Sequence, residues 1–245
     1  MSDSSSNALP SKSSPGNPRG VLVWDLPVRL MHWTLVFAVA GAWATQELEG
    51  DWFNYHLWCG YVVLLVAATR IVWGFLGTRH ARFADFVRGP GAVLAYARSM
   101  LGKQPARYAG HNPLGALMVL ALLAMLIMQA VTGLFANDQI MSTGPLYGYV
   151  TGSTSDQLTT IHKQLFDLLL VAIALHVTAA LVYLFVKHDN LILPMITGRK
   201  PGAAVAPEDR IASSRSWLAV LVLGALAATL YVVVRRAPEA SLFTF

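Results

Sequence analysis

Residues 158–186 read LTTIHKQLFDLLLVAIALHVTAALVYLFV, an apolar stretch that carries two histidines, His162 and His176, fourteen residues apart. On an α-helix, fourteen steps of about 100° fall about 40° short of four full turns, so both imidazoles project from one face. At about 1.5 Å per residue they lie roughly 21 Å apart along the axis. The spacing predicts one helix that offers a ligand to each of two metal centres at two depths.

The composition places the chain among membrane proteins. Of its 245 residues, 55% are hydrophobic and only 13% are charged, which is too apolar for an ordinary soluble domain. A single cysteine, Cys59, excludes an intrachain disulfide, a cysteine-rich zinc site, an iron–sulfur cluster and covalent haem attachment through C-x-x-C-H. Any redox cofactor must therefore be held without cysteine.

Apolar stretches of membrane-spanning length predict an all-α integral membrane protein. We expect a four-helix transmembrane bundle within residues 21–200 and a fifth, C-terminal transmembrane helix within 217–245, joined by a linker at 201–216. Residues 1–20 are rich in Ser, Pro and Asn, without an apolar run, and predict a disordered tail and not a signal peptide. The five predicted spans are residues 27–46, 54–76, 113–135, 157–186 and 217–234.

The basic residues orient these spans. The connections 47–53 and 136–156 contain no Lys or Arg, whereas the connection between the second and third spans carries Arg79, Arg82, Arg88, Arg98, Lys103 and Arg107. By the positive-inside rule, the N-terminus and the 77–112 connection are cytoplasmic. The fifth span would then place Arg235 and Arg236 outside, against the same rule. Because topology accounts for the net charge of +5, we expect no nucleic-acid partner.

Membrane depth sorts four histidines into two pairs. His32 lies near the cytoplasmic start of the first span with His176 at its level, and His56 lies near the outer start of the second span with His162 at its level. Imidazole is a strong axial ligand of haem iron, and ionisable residues in spans are rare. The alternative is that these histidines bond carbonyl groups across the bundle, but their pairing by depth favours metal ligation.

Arg70 follows His56 by fourteen residues, so it shares the face of that histidine at the depth of the inner pair. A buried guanidinium needs an anion, and a haem propionate would accept its hydrogen bonds. The alternative is that Arg70 extends to the cytoplasmic headgroups.

The segments VWDLPVRLMHW, HLWCGYVVLLVAATRIVWGF, GHNPLGALMVLALLAMLIMQAVTGLF, LTTIHKQLFDLLLVAIALHV and LILPMITGRK together resemble the prokaryotic cytochrome b561 family, over about residues 20–200. This resemblance implies two non-covalent b haems in a four-helix bundle of the bacterial inner membrane. It implies that His32 and His176 hold the cytoplasmic-side haem iron and that His56 and His162 hold the outer one. The fifth span departs from the four-helix pattern and contains no histidine, aspartate or glutamate.

The three remaining histidines, His80, His111 and His188, are expected to be solvated loop residues. Among them His111, with its neighbour Asn112 at the start of the third span, is the candidate to contact a quinone or a haem propionate, because both residues present polar groups at the membrane surface.

The resulting hypothesis is a dihaem membrane cytochrome that carries electrons between the quinone pool and a partner such as a periplasmic cytochrome c. No catalytic acid–base pair or nucleophile is evident, so the chain is an electron carrier or a subunit of a quinone-linked oxidoreductase. One alternative is the membrane anchor of a nickel–iron hydrogenase or another dehydrogenase. Another is a transition-metal transporter lined by histidines, which the division of the ligands into two levels disfavours.

Overall fold

A computed structural model of the chain describes residues 20–48, 52–100, 108–140, 142–201 and 210–238. Within them, five helices are long and apolar enough to cross a membrane, which confirms the prediction of an all-α integral membrane protein. Residues 1–19, and with them nearly all of the predicted disordered tail, lie outside the described residues, as do 202–209 of the predicted linker. The five long helices are α1 (Leu26–Glu47), α2 (Phe53–Leu76), α5 (Pro113–Leu134), α6 (Gly152–Phe185) and α8 (Ser216–Arg235).

The connections contain shorter elements. Two 3₁₀ turns cover Arg79–Ala81 and Tyr147–Tyr149. The other short elements are β1 (Val21–Leu22), α3 (Phe83–Phe86), α4 (Pro90–Ser99), α7 (Ile192–Thr197) and β2 (Arg199–Lys200).

Side-chain caps begin three of the long helices. The Asp25 carboxylate accepts a hydrogen bond from the Val28 backbone N–H, and Asn112 accepts one from Gly115. Thr151 caps α6 in the same way. Each cap satisfies one of the backbone donors that a first helical turn leaves unpaired. These caps explain where α1, α5 and α6 start.

Helix α6 begins at Gly152, five residues before the predicted span. Its 34 residues correspond to about 51 Å, which exceeds a hydrocarbon core of about 30 Å, so the polar first turns extend beyond the membrane. Ser155 fixes this extension because its hydroxyl is fully buried and donates to the Phe135 carbonyl at 2.6 Å. The polar residues there hid the helix start from a prediction based on apolarity alone.

The long helices pack in the sequence α1 on α2, α2 on α5 and α5 on α6, and α8 lies against α2. Apolar residues of α1, α2, α5 and α6 form the central core, among them Ala67 and Leu169, which are almost fully buried. Among the described residues, the backbone of α6 comes close to that of α1 or α2 at very few positions. Contact between α6 and these two helices is therefore made by side chains.

One end of the bundle, which we call the basic end, contains the starts of α1, α5 and α8 and the end of α2. There β1 pairs with β2 in antiparallel register, Val21 opposite Lys200. Helix α7 is held beneath α1 because the Trp33 indole N–H donates to the Met195 carbonyl at 3.2 Å and Arg29 donates to the Ile196 carbonyl. These contacts close the basic end. The other end, the acidic end, contains the α1–α2 and α5–α6 connections.

Helix α8 crosses from the basic to the acidic end. Before it starts, the Ser214 hydroxyl accepts a hydrogen bond from the Leu26 backbone N–H at 3.1 Å. After it ends, the Arg236 carbonyl accepts one from the Tyr149 hydroxyl, also at 3.1 Å. Arg235 and Arg236 thus lie at the same end as the α5–α6 connection, where the predicted fifth span placed them.

Candidate functional site

The fold brings together the four histidines of the spans in the two pairs that their depth predicts. The rings of His56 and His162, the acidic-end pair, have their centroids 6.3 Å apart. The rings of His32 and His176, the basic-end pair, are separated by the same 6.3 Å. One pair bridges α2 and α6, and the other bridges α1 and α6, across the space that the backbones leave between them.

Backbone carbonyls orient both imidazoles of the acidic-end pair. His56 Nδ1 lies 2.8 Å from the Ala42 carbonyl oxygen, and His162 Nδ1 lies 2.9 Å from that of Gln129. When each Nδ1–H donates to its carbonyl, Nε2 keeps the lone pair that a metal ion requires. The Gln129 side-chain nitrogen lies 3.2 Å from His162 Nε2, so a metal ion bound to this lone pair would replace the hydrogen bond from the amide.

A cavity of about 330 Å³ lies beside the acidic-end pair, and both of its imidazoles line it. Gly60 also lines this cavity, and a Cβ added there would meet no atom within 4 Å. At Gly133, in contrast, a Cβ would stand 2.8 Å from Cε1 of His162. Glycine at position 133 is therefore needed to leave room for the imidazole.

The basic end has different surroundings, with four buried nitrogen atoms that have no hydrogen-bond partner among the described residues. They are Arg29 Nε, His32 Nδ1, Arg70 Nη1 and His111 Nδ1. Arg70 is only 6% exposed, and its guanidinium carbon lies 5.6 Å from the centre of the Phe83 ring. Buried polar atoms are rarely left unpaired in folded proteins, which distinguishes this cluster from the rest of the bundle interior.

The buried Asp25 does not neutralise Arg70 by direct contact. Its carboxylate accepts hydrogen bonds from the Val28 N–H at 2.7 Å, from the Trp73 indole at 3.1 Å and from the Thr78 hydroxyl. No carboxylate oxygen of the described residues lies within 4.0 Å of the Arg70 nitrogens. The chain thus keeps a buried cation whose nearest carboxylate is already occupied.

The histidines of the loops differ from expectation in two of three cases. His188 is exposed, as expected. His80 is wrongly predicted as solvated, because it is 3% exposed and lies 3.3 Å from the Asp85 carboxylate. His111 is partly buried, with its ring 4.7 Å from that of Trp24 and 4.6 Å from that of Phe86. The folded connection covers both, which loop position alone could not reveal.

Burial and the nearby Arg70 cation lower the pKa of His111 to about 3, so its ring is neutral at physiological pH. Its neighbour Asn112 has a structural role. The amide oxygen of Asn112 caps α5, and its nitrogen donates to the Tyr183 hydroxyl at 3.0 Å.

The spacing of each histidine pair fits a metal ion between its two rings. A bond of about 2.0 Å from an imidazole nitrogen to a metal, plus roughly 1 Å from that nitrogen to its ring centre, puts opposed rings about 6 Å apart. Both measured separations agree with this value. Among the described residues no group of three or more His, Cys, Asp and Glu side chains could hold a metal ion.

Several residues of these sites were missed by sequence reasoning. Gln129 and Thr132, one turn apart on α5, surround His162, and the Thr132 hydroxyl lies 3.3 Å from His162 Nδ1. Polar residues in an apolar span were a usable signal for both. Asp25, directly before a helix that has proline in its first turn, could have been identified as a helix cap in the same way.

Comparison with known proteins finds relatives of this chain. The chain is 26% identical over 212 residues to a protein of Azotobacter chroococcum mcd 1, over 73% of this chain and 87% of that protein. It is 26% identical over 211 residues to one of Bradyrhizobium diazoefficiens, covering 74% and 85%. Both are named "Probable Ni/Fe-hydrogenase B-type cytochrome subunit". Escherichia coli K12 has a similarly named subunit, 25% identical over 210 residues, covering 72% and 88%.

No solved structure matches the chain significantly. The sequence model of one family, in contrast, matches residues 23–198, which reach from the residue after β1 to the residue after α7 and contain all four paired histidines. The chain belongs to the prokaryotic cytochrome b561 family and is a multi-pass bacterial membrane protein, a b-type cytochrome with haem b that acts in electron transfer.

Proposed function

We propose that this protein is a dihaem cytochrome that carries electrons across the membrane between the quinone pool and a partner redox protein. The observation that carries the proposal is the presence of two histidine pairs, one toward each end of the bundle, with the same 6.3 Å between ring centres. A single haem would need only one such pair. Two centres at two depths form a route for electrons across the bilayer.

The acidic-end haem is proposed to be held by His56 and His162, and the basic-end haem by His32 and His176. Haem supplies reversible one-electron chemistry at its iron, and the protein adjusts that chemistry through ligand identity, hydrogen bonds to the ligands and burial. The carbonyls of Ala42 and Gln129 hold the first two imidazoles in place. Gly60 leaves open space in the cavity in which a flat macrocycle would lie, and Gly133 leaves room for the His162 imidazole.

Arg70 is proposed to bind a propionate of the basic-end haem. Its burial argues against extension to the headgroups, because an arginine that reached the membrane surface would remain exposed. Its unpaired Nη1 supports the presence of an anion, which a propionate would supply through a charge-assisted hydrogen bond.

His111 is proposed as the protein group that contacts a quinone or a propionate at the basic end. Its buried Nδ1 has no partner among the described residues, which supports a bound acceptor or donor there. Asn112 was part of the same prediction, but both ends of its amide already bond within the protein, so any such contact relies mainly on His111.

Two kinds of protein are candidates for the redox partner. A periplasmic cytochrome c is one. The names of the relatives favour the other, a subunit of a nickel–iron hydrogenase or a related dehydrogenase, for which this chain would be the membrane anchor. Purification of the tagged chain from its native membrane distinguishes them: co-elution of a hydrogenase or dehydrogenase subunit supports the anchor role, and co-elution of a c-type cytochrome supports the other.

The proposed orientation places the N-terminus and the basic end in the cytoplasm of a bacterial inner membrane. The six basic residues of the 77–112 connection support it, together with their absence from the α1–α2 and α5–α6 connections. Reporter fusions to the N-terminus and to the α5–α6 connection test it, and a periplasmic signal from the N-terminal fusion would contradict it.

A reduced-minus-oxidised spectrum with a pyridine haemochrome assay on the purified chain tests the dihaem proposal. We expect a b-type signal and two haems per chain. A value of one haem per chain, with full occupancy established by reconstitution, would contradict it. If the spectrum shows no b-type absorption band, the alternative function of a transition-metal transporter must be considered again. That alternative is disfavoured because no third metal ligand lies beside either histidine pair among the described residues.

A further inference from the structure

A second cavity, separate from both histidine pairs, lies at the basic end and has a volume of about 230 Å³. One wall is the turn that follows α2, from Gly77 to Arg82, and the other is the segment Arg210 to Arg215 that leads into α8. The second wall is held by the Ile211 N–H, which donates to the Leu22 carbonyl at 3.3 Å, and by the Ser214 hydroxyl. Two distant parts of the chain therefore form this space.

Four arginines line the cavity, Arg79 and Arg82 on one wall and Arg210 and Arg215 on the other, and no described lining residue is acidic. Arg79 pairs with Asp85 at 3.4 Å. In the described part of the chain, no carboxylate lies within 4.0 Å of Arg82, Arg210 or Arg215. Arginines on both walls, three of which have no carboxylate partner among the described residues, favour phosphate, whose oxygens accept bidentate hydrogen bonds.

The position of the cavity favours a phosphate that belongs to a lipid over a free phosphate ion. Gly77 directly follows the last residue of α2, and Arg215 directly precedes α8, so the cavity lies where two spans leave the membrane. Trp217 is 69% exposed and Phe75 is 68% exposed, as expected of apolar side chains at the level of headgroups and acyl chains. A phosphate at this level that is attached to acyl chains gains contacts that a free ion lacks.

We propose that this arginine cavity binds the phosphate headgroup of an anionic phospholipid. The headgroup lies between the turn after α2 and the segment before α8 and joins them. Basic pockets between transmembrane helices bind anionic headgroups in this way. Helix α8 depends on such a tie because it packs mainly against α2 and has no buried residue of its own. This inference is independent of the number of haems.

The test uses the full-length chain in neutral detergent, to which phosphatidylglycerol or phosphatidylcholine is added, with bound lipid counted by native mass spectrometry. The variant Arg210→Gln/Arg215→Gln removes two charges from the cavity. Its matched control, Arg235→Gln/Arg236→Gln, removes the same charge from the acidic end. Both variants should keep the b-type spectrum, which verifies folding. If the cavity variant does not fold, Arg82→Gln on the other wall replaces it.

We expect one phosphatidylglycerol per chain for the wild type and the control, no comparable retention of phosphatidylcholine, and affinity weaker by about tenfold or more in the cavity variant. Equal loss in both double variants would overturn the proposal, because general surface charge would then explain binding. Unchanged binding in the cavity variant would overturn it too. Complete release of the lipid by millimolar inorganic phosphate would assign the cavity to a free ion and reject the lipid.

Discussion

The two histidine pairs have equal ring separations but unequal surroundings. In the acidic-end pair, both Nδ1 atoms lie within 2.9 Å of backbone carbonyl oxygens. In the basic-end pair, His32 Nδ1 is buried without a partner, and unpaired nitrogens of Arg70 and His111 lie in the same end of the bundle. The acidic-end imidazoles are oriented by backbone carbonyls and have one unpaired polar atom beside them, Oε1 of Gln129, whereas the unpaired atoms of the basic end are several nitrogens, two of them on Arg70 and His111.

This difference teaches how the two proposed haem sites depend on the cofactor. The acidic-end imidazoles keep their orientation in the protein alone, because hydrogen bonds to carbonyls fix ring and tautomer. The basic end keeps a buried guanidinium that costs free energy until an anion pairs with it. The basic end should therefore gain more stability from haem than the acidic end.

Loss of one ligand should have the largest effect. We expect His176→Leu to remove the basic-end haem and His162→Leu to remove the acidic-end haem, each lowering the haem content from two to about one per chain. Of the two, His176→Leu should lower the thermal stability more, since it leaves Arg70 without its anion. Pyridine haemochrome assays and melting curves measure both effects. Two haems of normal spectrum in either variant would show that the ligand assignment is wrong.

A smaller steric change should act on the acidic end alone. Gly133→Ala places a Cβ 2.8 Å from Cε1 of His162, so we expect this imidazole to shift and the acidic-end haem to be bound weakly or lost. The matched control is Gly224→Ala on α8, where a Cβ would meet nothing within 4 Å. Haem content and the reduced spectrum of the two variants are compared. If Gly133→Ala and Gly224→Ala behave alike, His162 does not need its present position.

The charge of Arg70 should change a potential without removing a haem. Arg70→Ala takes a cation from the neighbourhood of the basic-end iron and so favours the more positive, oxidised state. We expect the midpoint potential of that haem to fall by about 50 mV, on the order of a tenfold change in a one-electron equilibrium. In Arg70→Lys, which keeps the charge, the midpoint potential of this haem should fall less. A spectroscopic redox titration measures both variants. A change confined to the acidic-end haem would contradict the proposed propionate contact.

The smallest predicted effect concerns pH. Because the folded pKa of His111 is lowered to about 3, the unfolded chain binds a proton below about pH 6.5 that the folded chain does not. The free energy of unfolding is therefore unaffected by His111 above about pH 6.5 and decreases as the pH falls from there towards 3, because only the unfolded chain takes up the proton. Between pH 6.5 and 5 we expect the wild-type melting temperature to drop more steeply than that of His111→Leu, by about 3 °C per pH unit. Parallel curves would show that His111 does not contribute.

The membrane spans were largely predictable because apolarity marks them directly. The predicted ends of α1, α2, α5 and α8 lie within one residue of those observed. The pairing of His32 with His176 and of His56 with His162 was also predictable, since helix rise and span direction fix depth. What apolarity could not show is where a polar helix begins, as at Gly152 of α6.

The contacts that surround the predicted ligands were not predictable from one sequence. The carbonyl that holds His56 belongs to Ala42, whose side chain gives no signal of this role. His80 was expected in solvent and is buried, because the turn that carries it packs against Trp24 and Asp85. Such contacts depend on how helices rotate and where loops pack, neither of which the periodicity of a single span determines.

The pairing of β1 with β2 joins two segments that are almost 180 residues apart, Val21 and Lys200. The region that carries all four paired histidines therefore begins and ends at the same place, as a closed loop of chain. During synthesis this loop can close only after α7 has been made. Helix α8 lies outside the closed region, and hydrogen bonds from the Ile211 N–H to Leu22 and from the Leu26 N–H to the Ser214 hydroxyl join the segment before α8 to the start of that region.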